Sequence, residues 1–274
     1  MLPAGSVIAV ADTMDTGFLG FTIAGLLVGF IVGMTGVGGG SLMTPILLWF
    51  GINPATAVGT DLLYAAITKC SGVWVHGRNR NIDWAITGWL SLGSVPAAAV
   101  TLWILHSLNA DTQALNSLIR TALAYVLFLT ALAILLRGPL LAFASRHAGD
   151  RYRLSPKGLN ACTVLTGIVL GAMVSLTSIG AGALGTVALF MLYPFLATRR
   201  LVGTEIAHAV PLTLVAGLGH AGMGNMDWSL LGHLLIGSLP GIYLGSHLSG
   251  RVPDGVLRPA LAIMLGLIGL KLLH

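Results

Sequence analysis

The sequence predicts an all-α polytopic membrane protein built from two related halves. Hydrophobic residues make up 55% of the 274 positions and charged residues only 8%, against about 25% charged residues in an ordinary soluble domain. So few charges cannot cover a water-exposed globular surface, whereas long apolar segments suit a lipid bilayer. A third observation is a pattern of glycines, hydroxyl residues and ionisable residues that appears once in each half.

The two copies of this pattern keep the same order. The second copy is displaced by about 142 positions at first and by about 144 further on. So many matches in one order indicate a duplication, and duplicated transporters hold their substrate where the halves meet. The matched residues include Gly25 and Gly167, Gly29 and Gly171, Thr35 and Thr177, Gly38 and Gly180, Gly40 and Gly182, Asp61 and Glu205, His76 and His220, Asp83 and Asp227, and Pro96 and Pro240.

Each half contains five apolar segments, A to E. Segments C, D and E are long enough to span, because a spanning helix needs about 20 residues. Segment B is about half that length and follows a glycine cluster, so we expect A and B to form a hairpin that turns inside the membrane. The segments are 18–34, 41–50, 55–75, 83–107 and 115–136, then 159–176, 183–193, 200–222, 228–250 and 256–272.

These segments divide the chain into four parts. We expect an N-terminal tail (1–17), a first transmembrane repeat (18–137), a basic cytoplasmic linker (138–158) and a second repeat (159–274). The tail lacks the basic start and small-residue cleavage site of a signal peptide. Two cysteines lie in apolar segments at unmatched positions, which is typical of structural thiols; a disulfide or a persulfide-handling role is the alternative.

Each half is expected to have three full-length spans. Because three is an odd number, the second repeat crosses the membrane in the opposite orientation to the first. Lys and Arg are enriched in cytoplasmic loops, so the basic loops test this inversion. Arg78 and Arg80 follow segment C in the first half, whereas Arg199 and Arg200 precede segment C in the second. The matched loops contain no basic residue. Antiparallel repeats therefore place all the basic loops in the cytoplasm and both termini outside.

Several longer motifs accompany this duplication. The first half contains GLLVGFIVGMTGVGGGSLMTP (25–45), then VGTD, HGRNRNIDW and GSVP, and the second half repeats TSIGAG, VGTE and MDW. These motifs resemble those of the TauE/SafE family of sulfite and organosulfonate exporters. The resemblance covers nearly the whole chain and implies an inner-membrane permease for small sulfur-containing anions. The second half departs from the glycine-rich pattern, since Ser178 and Ala181 stand where the first half has Gly36 and Gly39.

The turns of the two hairpins, the first tip (35–41) and the second tip (177–183), have features of an anion site. Each contains glycines, which let a ligand approach the backbone, directly before segment B. The N–H groups of a helix start can hold an oxyanion without a fixed cation. Helix packing is the alternative, and it is favoured for the glycines inside segment A. The substrate-binding candidates are Thr35, Gly38, Gly39, Gly40, Ser41, Thr177, Ser178, Gly180 and Gly182.

Ionisable residues inside apolar segments form a second group of candidates. A charge within a span is costly and usually functional. Asp61 and Glu205 occupy matched positions in segment C, with His208 one turn beyond Glu205. These three residues are candidates for proton coupling, and local pairing of Glu205 with His208 or with the nearby arginines is the alternative.

The remaining polar candidates also lie in or next to segment C. Lys69 either binds the substrate anion or extends to the interface. His76 and His220 end segment C at matched positions, where they bind substrate and gate a pathway or form a helix-terminal cap. Asp83 and Asp227 are expected to cap segment D.

Together these features predict a transporter that works by alternating access, and not an enzyme. The expected partners are a small sulfur oxyanion or organosulfonate, the lipid bilayer and a coupling proton, with a homodimer left open; no cofactor, metal or nucleic acid is expected. A passive anion channel is one alternative. An intramembrane serine hydrolase with Ser178 as nucleophile and His220 as base is another, although Gly36 replaces that serine in the first half.

Overall fold

The computed structural model describes residues 19–33, 40–107, 112–146, 155–248 and 254–273, whose regular secondary structure is helical throughout. The tail and the candidates Thr35, Gly38 and Gly39 lie outside these ranges. The helices are α1 (Leu19–Gly33), α2 (Gly40–Trp49), α3 (Pro54–Arg78), α4 (Trp84–Ser107), α5 (Thr112–Leu135), α6 (Arg137–Arg146), α7 (Pro156–Thr177), α8 (Ala183–Leu192), α9 (Thr198–Gly222), α10 (Trp228–Leu248) and α11 (Asp254–Leu273).

Five of these helices, α4, α5, α7, α9 and α10, are long and apolar enough to cross a membrane. The prediction of an all-α polytopic membrane protein is therefore confirmed. Four of the six expected full-length spans, α4, α5, α9 and α10, are among these five helices. The 25-residue α3 is not, because it carries Asp61 and Lys69, which lower its apolar content. Helix α11 is apolar over Leu261–Leu273.

The two arms of the second hairpin differ in length. Its first arm, α7, has 22 residues, which is long enough to cross a bilayer alone because a helix rises about 1.5 Å per residue. Its second arm, α8, has only 10 residues. Segment B is therefore short, as predicted, whereas segment A of the second half is longer than half a span.

Helix α6 lies in the region that the sequence analysis assigned to a linker, and it was not predicted. Leu141 of α6 packs against an apolar cluster, and Arg137 lies 5.8 Å from the centre of the Phe190 ring. Its apolar run, 140–144, is too short to be recognised as a spanning segment in the sequence. The cluster consists of Ile86, Leu90, Leu189, Phe190 and Leu201.

Residues 1–36 and 227–252 form one compact unit, whose described part consists of α1 and α10. The two helices cross at glycines. A Cβ atom added to Gly25 meets the Leu234 carbonyl oxygen at 2.5 Å, and one added to Gly29 meets the Ser238 carbonyl oxygen at 2.5 Å. No larger residue fits there without moving the backbone.

Residues 37–226 and 253–274 form a second compact unit, which contains α2 to α9 and α11. Here α7 crosses α4 in a corresponding way. A Cβ atom on Gly167 clashes with the Leu90 carbonyl oxygen, and one on Gly171 clashes with the Ser94 carbonyl oxygen. Each of these positions matches one in the α1–α10 crossing. The predicted packing role of the segment A glycines is confirmed.

Helices α3 and α9 of the second unit run antiparallel. Gly59, near the start of α3, packs against Asn225, just beyond the end of α9. In the matched contact, Gly203 near the start of α9 packs against Asn81, just beyond the end of α3. This helix pair contributes most of the buried ionisable side chains described next.

Candidate functional site

The Asp61 carboxylate on α3 lies in the interior of the second unit and is fully buried. Thr44 of α2 donates two hydrogen bonds to its Oδ2 atom, from the hydroxyl at 2.5 Å and from the backbone N–H at 3.2 Å. Its Oδ1 atom has no hydrogen-bond partner among the described residues. The Ser178 hydroxyl lies next to this carboxylate without forming a hydrogen bond of good geometry.

The second tip contains three residues with a positive φ angle. Ser178 ends α7 with φ 57°, while Gly180 has φ 120° and Gly182 has φ 150°. Side chains disfavour the two glycine conformations, so this turn requires glycine. Thr177 supports the turn, since its hydroxyl donates to the Met173 carbonyl at 2.7 Å and accepts from the Ile179 N–H at 3.2 Å.

The start of α8 presents unused backbone donors. The Gly185 N–H donates to the Gly180 carbonyl, and the Thr186 N–H donates to the Gly182 carbonyl. In the described part of the chain, the N–H groups of residues 180–184 have no recorded acceptor. The first N–H groups of a helix lack intrahelical partners, and here they lie in a buried or half-buried segment. They form the donor set that an oxyanion requires.

Lys69 joins α3 to the second tip. Lys69 is 7% exposed, and its ammonium group donates to the Ala181 carbonyl at 2.8 Å, so it does not extend to the interface. Glu205 and Asp61 are close enough to act on it electrostatically. Among the described residues, no ion pair joins Lys69 to either carboxylate.

Glu205 and His208 lie on the α9 side of the cluster. Glu205 is 2% exposed, packs against Gly185 of α8, and leaves its Oε1 atom without a partner in the described structure. The Nε2 atom of His208 lies 2.8 Å from the Ser94 hydroxyl of α4. The structure shows no hydrogen bond between Glu205 and His208 in its described part, and Arg200 pairs elsewhere, so the local-pairing alternative for Glu205 is not observed.

The two matched histidines lie apart from this carboxylate cluster. His220 Nε2 is 2.8 Å from the Ser175 carbonyl oxygen, and because a carbonyl only accepts, this nitrogen carries a hydrogen. The other ring nitrogen, Nδ1, and the Ser178 hydroxyl both lack a hydrogen-bond partner among the described residues, so the nucleophile–base contact that the hydrolase alternative needs is not observed. His76 lies beside Gly203.

Comparison with known proteins adds the family. A family model described as "Sulfite exporter TauE/SafE" matches residues 21–272 of the chain. The chain belongs to the TauE/SafE family. Among its relatives are two proteins of Bacillus subtilis (strain 168). "Probable membrane transporter protein YjnA" is 42% identical over 92% of this chain and 98% of the relative, and "Probable membrane transporter protein YdhB" is 31% identical over 90% and 96%. No solved structure matches.

This TauE/SafE protein is thus a multi-pass membrane transporter of the plasma membrane, as predicted. The predicted capping aspartates are also confirmed. Asp83 Oδ1 accepts hydrogen bonds at the start of α4, including one from the Ile86 N–H at 3.3 Å, and Asp227 Oδ1 accepts from the Leu230 N–H at 2.9 Å. Asp83 additionally forms an ion pair with Arg200 at 3.1 Å.

Two hydroxyl residues of the site, Thr44 and Ser94, were not predicted as site residues from the sequence. A signal for both was present, because Thr44 matches Thr186 with a displacement of 142, and Ser94 matches Ser238 with a displacement of 144. A hydroxyl residue repeated in both halves of an apolar chain is a reasonable candidate for a site.

Proposed function

We propose that this transporter carries small sulfur-containing anions, sulfite or organosulfonates such as sulfoacetate, by alternating access. The observation that carries the proposal is the set of unpaired N–H groups at the start of α8, inside the protein and beside Lys69. Helix N-termini bind oxyanions through such groups. The family description supplies the sulfur chemistry.

The first tip is proposed to contribute to the same pathway. Gly40 and Ser41 begin α2, and Thr44 of the same helix reaches Asp61. An arm that contacts the carboxylate cluster is well placed to respond when the anion binds. The proposal extends to Thr35, Gly38 and Gly39 by their match to the second tip in the sequence.

We further propose that a proton accompanies the anion. Asp61, Glu205 and Lys69 are all buried, so two carboxylates share one ammonium group. A buried charge without a partner is strongly unfavourable. Protonation of one carboxylate removes the excess negative charge, and His208 lies on the same helix as Glu205 to assist the transfer.

The antiparallel α3–α9 pair supports inverted repeats. The Asp83–Arg200 ion pair and the Gly203–Asn81 contact bring the basic ends of the two helices together. The opposite end, formed by loops 51–53 and 223–226, has no basic residue. Since cytoplasmic loops are enriched in Lys and Arg, the basic end is proposed to face the cytoplasm.

Reconstituted vesicles test this function. We expect saturable uptake and counterflow with sulfite or sulfoacetate, stimulated by a proton gradient, and weaker transport of thiosulfate and sulfate. Electrogenic flux without counterflow, unaffected by a proton gradient, would instead identify a passive anion channel. Absence of flux for all four anions would reject the proposed substrate class.

A further inference from the structure

Two buried polar atoms at the second tip lack a hydrogen-bond partner in the described structure, Asp61 Oδ1 and Ser178 Oγ. Asp61 is 0% exposed and Ser178 is 1% exposed. Thr44 already occupies the other oxygen of Asp61 with two donors. The Ser178 hydroxyl, which belongs to the proposed anion site, lies next to this carboxyl group, and Oδ1 is the carboxylate oxygen that remains available to it.

We infer that the second tip binds a singly charged anion only together with a proton on Asp61, because the Ser178 hydroxyl serves the carboxylate and the anion in turn. This inference rests on the proposed transport function. It adds which carboxylate carries the proton, why the proton and the anion bind together, and which charge state of the substrate fits.

The Ser178 hydroxyl group has one hydrogen and two lone pairs, so it can donate one hydrogen bond and accept others. When Asp61 is ionised, the Ser178 hydrogen turns toward Oδ1, and the oxygen lone pairs face the anion and repel it. When Oδ1 carries a proton, it donates to the Ser178 oxygen. The Ser178 hydrogen is then free to donate to the anion, beside the N–H groups of residues 180–184.

The total charge of the cluster also favours a protonated Asp61. Lys69, on the same helix, acts electrostatically on Asp61, on Glu205 of α9 and on His208 of α9. His220 of α9 lies beside Gly59 near the start of α3, while α2 presents only the neutral Thr44. With both carboxylates ionised and both histidines neutral, the cluster is negative overall and opposes a further anion. A proton on Asp61 leaves Lys69 balanced by Glu205, so neutral donors then hold one negative charge.

The same count excludes a doubly charged anion. Sulfate or the sulfite dianion brings a second negative charge, which no described group at the tip balances, and a buried unbalanced charge is costly. Hydrogen sulfite, or an organosulfonate without a second acidic group such as methanesulfonate, carries a single charge, and sulfoacetate meets this limit only when its carboxyl group is protonated. The site is therefore inferred to select singly charged sulfur oxyanions.

The sequence explains why Asp61, and not Glu205, takes this role. In the repeat, the position of Ser178 is occupied by Gly36 in the first half, and the position of Lys69 is occupied by Thr213 in the second half. Glu205 thus has no matched serine hydroxyl to share with an anion. The two carboxylates occupy matched positions but have different neighbours.

Binding of methanesulfonate, which stays singly charged across the pH range used, tests the inference in purified wild-type protein. On the alkaline side, where Asp61 of the free protein is ionised, titration in weakly buffered detergent solution with a pH indicator should show uptake of about one proton per bound anion. Between about pH 5 and 8, Kd should rise by up to about tenfold per pH unit on the alkaline side. Sulfate should compete at least tenfold more weakly.

Two variants separate the roles. Asp61→Asn mimics the protonated acid, so it should bind methanesulfonate with a Kd independent of pH and without proton uptake. Ser178→Ala should weaken binding at acidic pH about tenfold or more, while the folded fraction stays close to wild type. Asp227→Asn, a carboxylate at the start of α10, is the control and should retain normal proton uptake.

Methanesulfonate binding without proton uptake, or sulfate binding as tight as methanesulfonate binding, would overturn the inference while the transport function stands. If Asp61→Asn does not fold, the inference is tested by two other measurements. These are the proton uptake of wild type on binding methanesulfonate and the loss of affinity in Ser178→Ala. If wild type binds no sulfonate and no sulfite at any pH, both the inference and the proposed function fail.

Discussion

Lys69 is the residue that connects the carboxylates to the second tip. By donating to the Ala181 carbonyl at 2.8 Å, its ammonium group occupies an acceptor of the tip, so the groups that remain there are donors. It also supplies the positive charge that acts on Asp61 and Glu205. Lys69 thus both occupies a hydrogen-bond acceptor of the second tip and supplies positive charge to the two carboxylates.

Replacing Lys69 by Met should therefore weaken substrate binding and destabilise the protein. The change leaves a buried carbonyl unpaired, at a cost of about 1 to 3 kcal/mol, and leaves two carboxylates without a cation. We expect at least tenfold weaker binding and a lower Tm in detergent. Lys271→Met, at an exposed position of α11, should change neither quantity. Wild-type affinity in Lys69→Met would exclude the proposed role.

The glycines of the second tip allow a matched comparison of strain and binding. Gly180 has φ 120° and Gly51, in the loop after α2, has φ 81° with no atom within 4 Å of an added Cβ. Alanine at either position is strained, so both variants should lose stability. Only Gly180→Ala should also weaken anion binding, by about 1 to 3 kcal/mol, because it displaces the donors of the tip. Equal affinities in the two variants would assign Gly180 to folding alone.

At this scale the sequence reveals the ionisable residues of the site but not their neighbours. Asp61, Lys69 and Glu205 stand out because a charge within an apolar segment is rare. The partners are distant in the chain: Lys69 reaches a carbonyl 112 positions away, and His208 reaches a hydroxyl 114 positions away. Only tertiary packing brings such groups together.

Among the elements, the crossing of α4 and α7 depends on the absence of side chains. A Cβ atom on Gly167 overlaps the Leu90 carbonyl oxygen, whereas one on Gly88 of α4 has no atom within 4 Å. Small residues allow such close approach between membrane helices. The glycine repeat therefore combines two functions, helix packing within segment A and a tight turn at the second tip.

Gly167→Ala should accordingly lower the folded yield and Tm, because the helices must move apart. Gly88→Ala should leave both unchanged or raise them slightly, since alanine favours helix by about 1 kcal/mol over glycine. Fluorescence size-exclusion chromatography and thermal unfolding provide the measurement, with methanesulfonate binding as a second readout. Folded Gly167→Ala should bind normally, because this residue lies about three turns before the second tip. A loss of binding without a loss of stability would contradict the packing role.

The helices were predicted within a few residues because length and apolar content determine them. Helix α6 and the full length of α7 were not predicted, and each has a physical reason. Helix α6 has only five consecutive apolar residues, 140–144, and it packs against the cluster that includes Leu189 and Phe190. The length of α7 was underestimated because its first turn, starting at Pro156, is polar and capped by Ser155.

For the whole molecule, the central question is whether the two repeats have opposite orientations in the membrane. Helices α3 and α9 run antiparallel, and their matched capping residues, Asn79 and Met223, mark opposite ends of the pair. The basic residues collect at the Asn79 end. Orientation in the membrane then follows from this charge asymmetry.

Cysteine labelling in intact cells tests this topology directly. Both native cysteines, Cys70 and Cys162, are free thiols, so they must first be replaced by alanine. In that background Met223→Cys should react with a membrane-impermeant maleimide from outside, while Asn79→Cys should react only after the cells are opened. The two sites are equivalent in the repeat, so a parallel duplication would label both from one side. Labelling of both sites from outside would reject the inversion, and the reverse pattern would reject the assignment of the basic end to the cytoplasm.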